Sequence, residues 1–118
     1  MRPPASTPAL ALRDLSELTT DVRAAIFLGP DGSLLAAAPE RGDLGERLRE
    51  LTLAVLEGAD AAGAEPPAEV EIATRAGAVY MVRGEGSALA VVAGRFTLSS
   101  LMRYDLRRML ADLGEGSG

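Results

Sequence analysis

The side chains able to do chemistry here form a short inventory. Cys, His and Lys are absent, as is Trp, and all 12 basic residues are Arg. Without thiols or imidazoles the usual tetrahedral zinc patterns cannot form. Ser–His, Cys–His and Ser–Lys nucleophile pairs are excluded for the same reason, and so is Schiff-base chemistry on lysine. A GxxxxGK[ST] phosphate loop needs a lysine the chain lacks. What remains is 17 carboxylates, two Tyr, the arginines and weakly nucleophilic hydroxyls. No catalytic residue, metal site or cofactor is expected, and the chain is not expected to be an enzyme.

A few arrangements could still carry function. Gly84-Glu85-Gly86 lacks the third glycine and the following helix of a dinucleotide fingerprint, so it reads as a hairpin turn. Arg47 and Arg49 share only their residue type with arginine fingers, and helix arginines are ordinarily solvated. Arg103, Arg107 and Arg108, with Tyr104 beside them, give the last helix a basic outer face. That face is either solvated or a docking face for an acidic partner. Asp105 falls within the arc of Leu98, Met102 and Met109. It reads as a rim carboxylate paired with Arg108 or Arg95, or else as a polar switch.

Composition narrows the partners. A net charge of -5 repels a phosphate backbone, and 3% aromatics are too few for base-stacking platforms, so no nucleic acid is expected. No run of about 18 apolar residues exists to cross a membrane. The opening MRPPASTP has no apolar core of a secretory signal. A cytoplasmic location is expected, and the Ala/Gly/Arg bias without lysine suggests a bacterial source. At 118 residues and 47% hydrophobic content, one domain with its own core is expected.

The elements that must position these residues follow from periodicity. Residues 1–7 read as a disordered lead, with Thr7 as N-cap and Pro8 at the first helical position. From Pro8 to about Thr20, Ala11, Leu12, Leu15 and Leu18 share one helical face. VRAAIFL (22–28) and LLAAA (34–38) read as strands around a Gly29-Pro30-Asp31-Gly32 turn. Asp43 and Glu46 have the spacing of a capping box before a second helix. Its expected core face carries Leu44, Leu48, Leu51, Val55, Ala59 and Ala62, and Gly63 ends it. EVEIATR (69–75), AVYMVR (78–83) and ALAVVA (88–93) then form a meander, the last strand central because it is apolar on both faces. Thr97 caps a final helix with Leu98, Leu101, Met102, Leu106, Met109, Leu110 and Leu113 on its apolar face. Gly114 ends it, leaving 114–118 as a flexible tail and 8–113 as a single domain.

This order, with VRAAIFLGPDGSLLAAA, LAVLEGADAAG, GAVYMVRGEGSALAVVAGR and SSLMRYDLRRML, resembles the roadblock (dynein light chain) family. More narrowly it is similar to the bacterial branch that works beside small Ras-like GTPases. The resemblance spans about residues 9–113 and lies in order and spacing rather than in a sharp motif. It implies an α+β fold, αββαβββα, with a five-stranded antiparallel sheet of order 2-1-5-4-3. The middle helix would cover one face and the terminal helices the other. It also implies a homodimer, third strand against third strand and middle helix against middle helix. The expected role is a non-enzymatic scaffold or regulator of a Ras-like GTPase. A small-molecule sensor on a profilin-like fold is the alternative, which would need an internal polar pocket.

Within that expectation, candidate interface residues follow. At 100° per residue, Leu53 points away from the Leu44/Leu48/Leu51 face, among Arg49 and Glu57, and Leu56 flanks it. Leu53 and Leu56 read as anchors against a dimer mate or partner, or as stray exposed leucines. In the third strand Val70 and Ile72 share one face, while Glu69 and Glu71 on the other either block the edge or flank a pairing strand. Arg103, Tyr104 and Arg107 are the candidate partner face on the last helix.

Overall fold

The computed structural model of the chain describes residues 8–18, 21–39, 42–62, 69–84, 86–95, 97 and 99–117. Helix α1 spans Pro8–Leu18, strands β1 and β2 Val22–Leu28 and Leu34–Ala38, and helix α2 Leu44–Ala62. Strands β3, β4 and β5 span Glu69–Ala73, Gly77–Gly84 and Ser87–Gly94, and helix α3 Ser99–Ser117. The strands form one sheet of order β2-β1-β5-β4-β3, antiparallel throughout. The fold class, element order and strand order are those expected from the sequence. Thr7, the 63–68 loop with its Gly63 cap, Glu85 and Leu98 lie outside the described residues.

The period-two alternation divides the strand side chains between two cores. On one face, Ala25, Phe27, Tyr80, Val82, Leu89 and Val91 meet Leu12 and Leu15 of α1 and Met102, Leu106, Leu110 and Leu113 of α3. On the other, Ala24, Ile26, Leu28, Val79, Met81, Ala88 and Ala90 meet Leu48 and Leu56 of α2. Strand β5 is central because Leu89, Ala90 and Val91 are each fully buried, a pattern only a strand covered on both faces can satisfy.

Turn chemistry sets the hairpin at the head of the sheet. Gly32 takes a φ of 80°, which glycine adopts without strain, and its N–H donates to the Gly29 carbonyl. The Ser33 N–H donates to Asp31 Oδ1 at 3.0 Å, closing an Asx turn. Hydrogen bonding from Ser33 holds the Asp31 carboxyl below its usual range.

Two termini differ from expectation. Asp43 and Glu46 do not close a reciprocal capping box: Asp43 pairs with Arg47 at 3.6 Å and Glu46 with Arg49 at 3.6 Å. Exposed i,i+3 and i,i+4 arginines compete for the same carboxylates. Helix α3 continues through Gly114 and Gly116 to Ser117, each helical glycine costing only about 1 kcal/mol relative to alanine.

Candidate functional site

Helix α2 carries most of the predicted interface residues, so its rotation decides where they lie. Its buried residues are Leu48, Thr52 and Leu56, at strict four-residue steps. Thr52 is fully buried and donates its hydroxyl to the Leu48 carbonyl at 2.7 Å, so it carries no unsatisfied polar group into the core. Gly45 lets the same face close on β2: a Cβ there would sit 2.9 Å from the Ala37 Cβ. The buried arc is therefore turned by roughly 80° from the face drawn through the leucines.

Three expectations change with that rotation. Leu56, expected as an outward anchor, is 7% exposed and belongs to the core. Leu53 is half-buried and packs against its own domain, its side chain lying beneath Gly32 of the β1–β2 turn. Arg49 continues that ridge, donating from Nε to the Gly32 carbonyl at 2.6 Å. Leu44 and Leu51, placed in the core by the sequence, are instead exposed, at 38% and 46%. Val55 is half-buried beside them.

Farther along the Arg49–Leu53 ridge, Asp60 and Arg83 form a two-pronged ion pair at 2.6 and 3.0 Å that ties α2 to β4. The Arg83 hydrogen bonds hold the Asp60 carboxyl below its usual range, and Asp60 in turn raises that of Arg83. Between this pair, the two hairpin turns and α2 lies an open cavity of about 410 Å³. Its apolar wall is Leu28, Pro30, Leu53, Leu56 and Ala88, and Glu57 stands exposed at its edge.

Helix α2 lies over β1 and β2, and on the same side of the sheet Val70 and Ile72 of β3 remain half-buried. Strand β3 pairs only with β4 among the described residues. The opposite edge strand, β2, lies beneath α1. Among the described residues, α2 thus exposes Leu44 and Leu51 with Val55 half-buried beside them, and β3 is an edge strand with Val70 and Ile72 half-buried on its α2-side face; exposed apolar residues and an edge strand are features of interaction surfaces.

The basic ridge of α3 is partly engaged within its own domain. Arg107 Nε bonds Glu69 Oε2, and Arg103 lies 3.9 Å from Glu69 Oε1. Both arginines hold the edge strand to the helix, because Glu69 faces α3 while Val70 and Ile72 face α2. Tyr104 is 59% exposed and carries Arg108 over its ring at 5.8 Å to the centroid. Asp105 is exposed and pairs with neither Arg108 nor Arg95. It sits on the solvent side of the Met102–Leu106 row, one step beyond the buried arc.

No family model and no curated protein matches the chain. Solved structures do. A Roadblock/LC7 domain from Streptomyces avermitilis superposes with a TM-score of 0.83 at 17% identity, covering 93% of this chain and 97% of that one. This is the Roadblock/LC7 fold. MglB of Myxococcus xanthus shares it at a TM-score of 0.68 and 19% identity, covering 84% of this chain and 80% of that one. The gliding protein MglB of Thermus thermophilus gives 0.64 and 18%, with 89% and 84% covered. At these identities the likeness establishes the Roadblock/LC7 architecture while the side chains on its surface belong to this chain alone. The exposed α2 stripe and the β3 edge are therefore read from this sequence's own residues. The signal that could have revealed the stripe was Thr52 at the centre of an otherwise apolar four-residue row, with Gly45 in line behind it.

Proposed function

We propose that the chain is a non-enzymatic, homodimeric scaffold that binds a Ras-like small GTPase and modulates its nucleotide cycle. The observation that carries this reading is the edge position of β3, with Val70 and Ile72 half-buried on it, together with Leu44 and Leu51 exposed on α2, on a fold shared with MglB. Antiparallel pairing of β3 with β3 of a second copy would satisfy the exposed backbone groups and bury the stripe of each α2 against its mate. The GTPase follows from the resemblance to the bacterial roadblock branch. A scaffold of this kind acts by binding one switch conformation better than another, which shifts the population competent for hydrolysis or exchange.

A sensor would need an enclosed polar pocket, whereas the cavity beside α2 is open and its Asp60–Arg83 pair is closed on itself. The test is light scattering at micromolar concentration, followed by single-turnover GTP hydrolysis and nucleotide exchange with a P-loop GTPase from the same genome. Twice the 12.2 kDa chain mass and a changed rate of either step are expected. A monomer, or a GTPase whose binding and rates ignore the protein, would overturn the proposal.

A further inference from the structure

We infer a small-oxyanion site at the opposite end of the sheet from the hairpin turns, held by Arg75 and Arg95. A second cavity, of about 260 Å³, opens where the β3–β4 turn meets the end of β5. Its lining residues include Arg75, Arg95, Thr74, Thr97, Glu71 and Tyr80. The ladder brings the arginines together: Gly77 pairs with Gly94, and Arg75 and Arg95 lie just outside that pair.

In this acidic chain the arginines of α2, β4 and α3 already have partners: Arg47, Arg49, Arg83, Arg103 and Arg107 each face a carboxylate, and Arg108 covers a ring. Arg75 and Arg95 have neither an ion pair nor a hydrogen bond with another described residue. Two guanidinium groups without a paired carboxylate thus line one cavity, alongside the single lining carboxylate Glu71, in a protein of net charge -5.

The surrounding backbone is held firmly. The Gly77 N–H donates to Thr74 Oγ1 at 3.0 Å, and the Thr74 N–H donates to the Gly77 carbonyl at 2.9 Å. Thr74 Oγ1 accepts there, so its own hydroxyl proton is free to donate into the cavity. On the other wall the Gly94 N–H donates to the Asp21 carbonyl at 2.8 Å, and the Thr97 hydroxyl donates to Asp21 Oδ2 at 2.8 Å. These bonds brace the turns that carry Arg75 and Arg95, and guanidinium groups bind a tetrahedral oxyanion in two-pronged fashion. Glu71 on the same wall offsets one positive charge and disfavours a broad polyanion. The ligand class is therefore phosphate or a phosphate monoester.

Amide-resolved NMR titration at constant ionic strength tests this, with inorganic phosphate, glycerol phosphate and chloride as probes. Saturable shifts confined to 74–77 and 94–97 are expected with the phosphates and not with chloride. Tighter binding of glycerol phosphate assigns the site to esters, and tighter binding of inorganic phosphate to the free ion. The Arg75→Gln/Arg95→Gln variant, altered only at exposed side chains, should keep a dispersed spectrum and bind about tenfold more weakly. The lysine pair should restore part of the affinity. Diffuse shifts, equal response to chloride, or unchanged binding in the glutamine variant would overturn the site.

Discussion

The Thr52 hydroxyl donates to the Leu48 carbonyl at 2.7 Å inside the α2 core, and this bond allows a polar residue to occupy the centre of the helix's buried face. The bond is internal to the helix, so no other element depends on it. Thr52→Val is nearly isosteric and leaves Leu48 its ordinary helical partner. Its unfolding free energy is expected within about 1 kcal/mol of wild type by urea denaturation. Thr52→Asp places an unpaired charge at the same point and should abolish the cooperative transition.

Leu51→Asp and Leu53→Asp separate the outer stripe from the ridge that packs on the β1–β2 turn. Leu51→Asp should leave the circular dichroism spectrum and the urea midpoint unchanged while light scattering falls to monomer mass. Leu53→Asp should lower stability by about 1–3 kcal/mol, since it removes the contact under Gly32. A dimeric Leu51→Asp protein would place the interface elsewhere.

Asp60 sets a pH dependence with a definite sign. Its carboxyl is held below the usual range by Arg83, so the pair's contribution is complete above the unfolded carboxyl pKa of about 3.9. It is lost as pH falls through the lower folded value. The urea midpoint of wild type should exceed that of Asp60→Asn by a constant margin from about pH 5 to 8, and the margin should shrink as the pH falls below the ordinary carboxyl range. A gap independent of pH would mean that Asn keeps or loses something other than the charge.

Gly77 is expected to be intolerant of any side chain. A Cβ there would overlap the Ala93 carbonyl oxygen and the Gly94 backbone across the β4–β5 ladder. Neither can retreat without breaking the register. Gly77→Ala should therefore cost more than about 2 kcal/mol in thermal or urea unfolding, whereas Gly58→Ala, with open space at its Cβ, should be neutral or stabilising.

The clamp of Arg103 and Arg107 on Glu69 is exposed enough for salt to weaken it, the arginines being 45% and 54% accessible. Glu69→Gln should lower stability by about 0.5–1 kcal/mol at low ionic strength, and about 0.5 M salt should remove most of the difference. Hydrogen exchange of the β3 amides should quicken in the variant, because the clamp ties that edge to α3.

The order and type of the elements were decided locally. Gly29-Pro30-Asp31-Gly32 can only turn, EVEIATR can only alternate, and ALAVVA carries no polar face to show to water. Such signals depend on a few neighbouring residues, so strands β1 and β2 carry the same bounds in sequence and structure, and β3 differs only where the alternation runs into its turn. The absence of Lys, His and Cys likewise restricted the chemistry before any folding. The rotation of α2 was a tertiary decision. Its apolar residues cover more than half the helix circumference, so a sheet could be laid on several arcs. Close approach at Gly45 and the self-bonded Thr52 selected the arc through Leu48, Thr52 and Leu56, which sent Leu51 outward and Leu53 onto the β1–β2 turn. The pairing of Glu69 with α3, and the placing of Arg75 and Arg95 on one cavity, depend on strand register and helix placement across the sheet. No spacing within one segment encodes either, because each joins residues that only the folded chain brings together.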